Sequence, residues 1–95
     1  MIWNNSRMQV LYFNETEADE SWPCVVRISE TEIVVEYQDE STVIYKGAND
    51  GTGHFTLACD DGSKATLHMF PGSDTLEGSW RENGDRGMWR IKLES

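Results

Sequence analysis

The segment Leu76–Leu93 constrains the fold of this chain more than any other stretch. Two runs of alternating apolar and polar residues flank the dipeptide Asn83-Gly84. Asn-Gly favours a type I′ turn, because both central positions of that turn need a positive φ. This turn aligns each tryptophan of the segment with a glycine on the opposite strand, Trp80 with Gly87 and Trp89 with Gly78. The sequence therefore predicts a β-hairpin with one apolar and one polar face.

The rest of the chain repeats this design at regular intervals. Short alternating runs stand between turn residues at Trp22–Ile28, Ile33–Tyr37, Val43–Tyr45, Phe55–Cys59 and Ala65–Met69. The run Arg7–Phe13 is compatible with a strand or a short helix, and we favour a strand with Met8, Val10 and Tyr12 on one face. No segment has the pattern of a long amphipathic helix. The chain is therefore predicted to be all-β, with seven to eight antiparallel strands.

Consecutive strands can be paired so that every apolar side chain stays on one face of the sheet. The pairs are Ile28 with Ile33, Tyr37 with Val43, Tyr45 with Phe55, Cys59 with Ser63, and Met69 with Leu76. Such a meander closes on itself or folds into a sandwich. We predict a single domain over residues 1–95, a small or half-open up-and-down barrel, in which residues 1–21 form an N-terminal strand and an acidic loop.

The hairpin motif Gly78-Ser79-Trp80, Asn83-Gly84 and Gly87-Met88-Trp89, set in a β meander, resembles the calycin-type barrels. These include the lipocalins, the fatty-acid-binding proteins and the avidins. The likeness is specific only over the last twenty residues. Lipocalins carry Gly-x-Trp near the start of the chain, whereas here it lies near the end. The resemblance implies a barrel whose interior accommodates a ligand.

Composition excludes several classes of partner. The chain has seventeen acidic and eight basic residues, and the net charge is −9. Repulsion therefore disfavours nucleic acid and anionic membrane surfaces. The acidic residues between 14 and 40 form either a solvated rim or a docking patch for a basic partner. The N-terminal residues are too polar for a signal peptide, and Cys24 and Cys59 lack metal-site spacing, so we expect a reduced, cytoplasmic protein without a cofactor.

One pair of side chains suggests a metal. A three-residue turn at Asp60-Asp61-Gly62 places His54 opposite His68 on the outer face. Two imidazoles at this spacing can bind Zn²⁺ or a similar ion if a carboxylate or water supplies a third ligand. The alternative is an exposed pair of titrating histidines.

Catalytic patterns are weak. The chain has no Gly-x-Ser-x-Gly motif, and both cysteines fall on the apolar face, where burial makes a thiol a poor nucleophile. We therefore expect binding rather than catalysis.

The predicted interior contains no Arg, Lys or His, which argues against a fatty-acid carrier. A surviving pocket would suit a small apolar or neutral ligand. The candidate ligand-binding residues are Tyr37, Tyr45, Phe55, Trp80 and Trp89. Alternatively, side chains fill the barrel, as eight strands allow, and the protein is an interaction or structural domain. On the outer face Val25, Val34 and Ile44 form a candidate homodimer patch.

Overall fold

The computed structural model describes residues 1–12 and 20–95, and for Leu11, Tyr12 and Glu20 it describes the backbone alone. It contains eight strands: β1 (Ile2–Tyr12), β2 (Glu20–Ile28), β3 (Glu32–Asp39), β4 (Ser41–Ala48), β5 (His54–Ala58), β6 (Lys64–His68), β7 (Thr75–Glu82) and β8 (Asp85–Lys92). Each strand pairs antiparallel with the next, and β1 pairs with β8. The barrel is closed, which confirms the predicted all-β meander.

The β7–β8 hairpin has the predicted geometry. Asn83 and Gly84 both have positive φ, 48° and 86°, as a type I′ turn requires. Glu82 lies opposite Asp85, and each tryptophan lies opposite a glycine as expected. On the outer face Glu77 accepts a hydrogen bond from Arg90 Nε at 3.0 Å. The turn therefore determines the pairing along the whole hairpin.

The register between β4 and β5 differs from the prediction. Lys46 pairs with Ala58 and Gly47 with Leu57, so β5 is displaced by four residues and Tyr45 does not lie opposite Phe55. A closed barrel requires its strands to be staggered along one another, and a series of level hairpins supplies no stagger. The long β4–β5 loop permits the displacement. The other predicted registers are confirmed.

Strand β1 is longer than predicted at its N-terminal end. Met8 and Val10 point into the core, as expected for one face of a strand. Phe13 and most of the predicted acidic loop lie outside the described residues. Strand β2 begins at Glu20, so its backbone is extended where a loop was predicted.

Among the side chains that the structure describes, sixteen buried hydrophobic ones fill the barrel. They are Met8, Val10, Cys24, Val26, Ile33, Val35, Tyr45, Phe55, Leu57, Ala65, Leu67, Leu76, Trp80, Trp89, Ile91 and Leu93. Eight strands give an interior just wide enough for such side chains. The core therefore leaves little internal space.

A polar clasp closes the barrel near the two chain ends. Ser6 is completely buried, and its Oγ accepts a hydrogen bond from the backbone N–H of Glu94 at 3.1 Å. The N–H of Asn5 donates to the carbonyl of Glu94 at 2.9 Å. A register shift between Trp3 and Ser6 in β1 accompanies these bonds. The clasp thus extends the β1–β8 contact beyond the paired strands.

The alternation of strand direction gives the barrel two ends. The turns β3–β4, β5–β6 and β7–β8 lie at one end, which we call the mouth. The polar clasp and the turns β2–β3, β4–β5 and β6–β7 lie at the opposite end. No helix in the described ranges has the length and apolar character needed to span a bilayer.

Candidate functional site

A cavity of about 40 Å³ opens at the mouth, above the filled core. At roughly 10–15 Å³ for each water, it holds about three water molecules. Nine described residues line it: Met8, Val10, Trp22, Tyr37, Asp39, Tyr45, Trp80, Glu82 and Trp89. Five of the nine are aromatic and two are acidic. The barrel therefore offers a small aromatic recess rather than a large internal pocket.

Hydrogen bonds hold the two inner indoles in place. Trp80 Nε1 donates to the carbonyl of Met88 at 3.1 Å, and Trp89 Nε1 donates to the carbonyl of Thr66 at 3.0 Å. The ring of Tyr45 meets that of Trp89 edge to face, with centroids 5.4 Å apart. This is a favourable aromatic geometry. These contacts fix the orientation of the three rings.

The hydroxyl of Tyr45 is unusual for a buried polar group. Tyr45 is 1% exposed, and its hydroxyl makes no hydrogen bond of normal geometry with any described residue. Burial raises the pKa of Tyr45 far above its usual range, and the nearby Glu82 adds to the effect. Leaving a buried hydroxyl unpaired costs about 1–3 kcal/mol. A ligand or water in the recess can supply the missing partner.

The two carboxyl groups of the recess come from two turns of the mouth, β3–β4 and β7–β8, which the β5–β6 turn separates around the barrel. Asp39 ends β3 and Glu82 ends β7. Glu82 is half-buried, and burial raises the pKa of its carboxyl. A hydrogen-bonding interaction with Tyr45 opposes this rise, whereas Asp61, Asp39 and Asp85 add to it. Negative charge is therefore concentrated at the mouth at a cost in free energy.

The structure brings four of the five predicted ligand-binding residues together. Tyr37, Tyr45, Trp80 and Trp89 all line the recess. Phe55 is 2% exposed and belongs to the core, but it does not line the recess. Phe55 lies near the start of β5, at the end of the barrel opposite the mouth. The displacement of β5 along β4 separates Phe55 from Tyr45.

Five residues of the recess were not predicted as site residues. Met8 and Val10 were predicted only to share one face of the N-terminal strand, and three further residues were missed: Trp22, Asp39 and Glu82. Each lies two residues beyond an inward-facing neighbour, Cys24, Tyr37 and Trp80 respectively. Side chains of a strand alternate between faces. Extending the alternation to the strand ends would have found all three.

The predicted histidine pair is adjacent on the outer face. His54 lies opposite His68, and the two rings stack with centroids 4.4 Å apart and planes 24° apart. A metal ion lies in the plane of each ligating imidazole at about 2.0–2.1 Å, so one ring must rotate before both bind one ion. No cluster of three or more potential metal ligands occurs within residues 1–12 and 20–95. Glu77 lies opposite His68 but is paired with Arg90.

The outer aliphatic residues are interleaved with charged ones. Glu36 lies between Val25 and Ile44 in the strand register. Val34 is only 6% exposed and lies between Arg27 and Lys46. Long charged side chains can cover apolar surface with their stems. This part of the barrel is thus less apolar than its aliphatic content suggests.

The two cysteines are free thiols. Burial raises the pKa of Cys24 to about 11, and Arg7 only partly offsets this rise. The thiolate is the reactive form of cysteine. Cys24 is therefore an unreactive core residue at neutral pH.

Comparison with protein-family models, with curated proteins and with solved structures found no match for the chain. Functional inference accordingly depends on the geometry of the molecule itself.

Proposed function

We propose that the protein is a non-catalytic binding module that receives one compact group of a small ligand in the recess at its mouth. The observation that carries this proposal is the recess itself, an aromatic cavity that contains a buried hydroxyl with no hydrogen bond of normal geometry to the described residues. Ligand pockets typically combine aromatic walls with a few polar groups that orient the ligand. The filled core limits the bound group to the depth of the recess.

Tryptophan fluorescence provides a direct test, because Trp22, Trp80 and Trp89 line the recess and Trp3 does not. The neutral probe N-phenyl-1-naphthylamine should quench tryptophan emission and gain emission by energy transfer. Trp22→Ala should weaken the binding of this probe. Trp3→Ala is the matched control, since Trp3 is also half-buried but lies at the other end of the barrel. No change in the emission of either partner on mixing would refute the proposal.

Native mass spectrometry of protein purified from its own host tests the same proposal without a chosen probe. A bound small molecule, released by Trp22→Ala and retained by Trp3→Ala, is the expected result. This measurement also reports bound metal and oligomeric state.

The filled core favours a second candidate, an interaction or structural domain that forms a homodimer through Val25, Val34 and Ile44. Sedimentation should then show a dimer that Ile44→Glu dissociates. A monomer at high micromolar concentration would exclude this candidate.

A further inference from the structure

The described lining of the recess carries acidic groups and no basic ones. Five aromatic rings and two carboxyl groups line it, and none of its nine described lining residues is Lys, Arg or His. The face of an aromatic ring carries partial negative charge and attracts cations, with indole the strongest of the side-chain rings. Three of the five rings are indoles. The lining is therefore complementary to a positive group.

A positive group in the recess could pair with the carboxyl groups of Asp39 and Glu82. No salt bridge formed by Asp39 or Glu82 occurs among the described residues. Burial and three neighbouring acids raise the pKa of the Glu82 carboxyl, because both disfavour its ionised form. A bound cation would relieve this repulsion, whereas a neutral ligand would leave it in place.

The composition and the volume of the recess favour one kind of cation over another. A metal ion such as Ca²⁺ needs about six to eight oxygen ligands, and the described residues contain no group of three potential metal ligands. Aromatic walls instead suit an alkylated ammonium, whose methyl groups make dispersion contacts with the rings. The volume of about 40 Å³ corresponds to one compact headgroup.

Resting on the proposed binding function, we infer that the recess binds the trimethylammonium headgroup of a small organic cation. The methyl groups contact the rings of Trp22, Trp80 and Trp89, and the carboxylates of Asp39 and Glu82 balance the charge. The trimethylammonium group cannot donate a hydrogen bond. The hydroxyl of Tyr45 therefore serves the part of the ligand beyond the headgroup, such as an alcohol oxygen, or a retained water.

Calorimetric titration with choline and with its neutral isostere 3,3-dimethylbutan-1-ol tests this assignment. The two molecules have the same shape and differ in charge. Choline should bind roughly tenfold more tightly or better, as expected for a cation held by rings and a carboxylate. Equal or tighter binding of the alcohol would overturn the charge assignment while leaving the binding function intact. Binding of neither molecule would overturn the inference, and the fluorescence titration with the neutral probe would then decide the binding function on its own.

Two variants, each of which replaces a carboxylate with an uncharged amide, test which side chains cause the preference for choline. Glu82→Gln and Asp39→Asn should each reduce the preference for choline over the alcohol by several-fold. Glu32→Gln is the matched control, because it makes the same change of charge at the other end of β3. Circular dichroism establishes that each variant is folded. An unchanged preference in both mouth variants would overturn the inference.

The affinity for choline should also rise with pH as Glu82 ionises. The titratable and charged groups that influence Glu82 are Asp39 on β3, Tyr45 on β4, Asp61 in the β5–β6 turn and Asp85 on β8. Tyr45 stays neutral over the range of the titration, since its pKa is raised. In Glu82→Gln the rise should be smaller. An identical pH profile for both proteins would contradict the role of this carboxylate.

Trimethylammonium groups occur both in soluble molecules and in lipid headgroups. Flotation with phosphatidylcholine vesicles distinguishes these sources. Binding of free choline without vesicle binding assigns the site to a soluble cation, and binding of both assigns it to the lipid headgroup.

Discussion

Gly78 has the least space for a side chain among the seven glycines whose surroundings are described. A Cβ atom added there would lie 1.8 Å from the carbonyl oxygen of Thr66 and 2.9 Å from the Cα of Leu67. Both contacts involve backbone, so neither can be relieved by a side-chain rotation. The glycine allows β6 and β7 to approach closely at the point where Trp89 donates its hydrogen bond to Thr66.

We expect Gly78→Ala to destabilise the protein by about 3 kcal/mol, since overpacking against backbone forces the strands apart. Urea denaturation measures this loss. Gly51→Ala is the control, because Gly51 has a φ of 85° that favours glycine but has nothing within 4 Å of the added atom. Its expected cost is about 1 kcal/mol. Gly78 has no positive φ, so a cost at Gly78 no larger than the cost at Gly51 would contradict the expected clash with the backbone of β6.

Ionisation of the Glu82 carboxyl should lower the free energy of unfolding. Its pKa in the folded protein is raised, so folding favours the protonated form. Below the ordinary glutamate pKa the group is protonated in both states and carries no penalty. As the pH rises above that value the penalty appears, and it is complete above the raised pKa of the folded state. Glu82→Gln should therefore be more stable than the natural protein at pH 7, and this advantage should disappear in acid.

Thermal unfolding of both proteins between pH 3 and pH 8 checks this prediction. The same substitution should reduce the preference for a cation by several-fold, so stability and binding would change in opposite directions. A Glu82→Gln protein that is less stable than the natural one at pH 7 would show that the carboxylate stabilises the free barrel.

At the scale of the element, the hairpins differ in how well their turns suit their residues. Asn83-Gly84 is well matched to a type I′ turn, which explains why the β7–β8 register could be predicted from two residues. The β3–β4 turn is less well matched. Glu40 connects Asp39 to Ser41 with a φ of 60°, in the left-handed region that favours glycine.

Glu40→Gly should therefore stabilise the protein by about 1 kcal/mol. The substitution also removes a negative charge from an acidic end of the barrel. Glu40→Gln separates the two effects, because it removes the charge and keeps the unfavourable conformation. Differential scanning calorimetry should give the order Gly, then Gln, then the natural Glu in decreasing stability. A glutamine variant as stable as the glycine variant would assign the whole effect to charge.

The histidine pair belongs to the β5–β6 hairpin, and its metal site stays a prediction. If the pair chelates, calorimetry should detect Zn²⁺ binding at micromolar concentration, and His54→Ala and His68→Ala should each abolish it. Thr56→Ala, on the same face of β5, should not. Absence of binding by the natural protein would leave the pair as two exposed, stacked rings.

Elements could be predicted well wherever a short turn connected them. The β2–β3, β3–β4, β5–β6 and β7–β8 registers follow from loop length and alternation. The β4–β5 register could not be predicted, because its long loop permits several offsets and the choice among them is made by closure of the whole barrel. The same limit applies to the site: Trp80 and Trp89 follow from local pattern, whereas the distance of Phe55 from the mouth depends on that offset.

At the scale of the whole molecule, the charge is unevenly placed. The net charge is −9, and acids occupy all three described turns of the mouth: Asp39, Glu40, Asp60, Asp61, Glu82 and Asp85. Like charges held close together destabilise the compact state. Exposed charges are screened by salt over about 10 Å at 0.1 M ionic strength.

Raising NaCl from 10 to 500 mM should therefore increase the melting temperature by roughly a few degrees. The double variant Asp60→Asn/Asp85→Asn should show a smaller increase, because part of the repulsion is removed in advance. Calorimetry at both salt concentrations measures the difference. A melting temperature independent of salt would show that the charges at the mouth are already balanced.

The clasp between Ser6 and Glu94 joins residues 88 positions apart. The β7–β8 hairpin, in contrast, closes across two residues. Contacts between distant residues carry the larger entropic cost and form late. During synthesis and refolding, β1 and β8 therefore remain open edges until the barrel closes. An open edge can pair with a strand of another chain, so the last contact to form is also the one that protects the protein from aggregation.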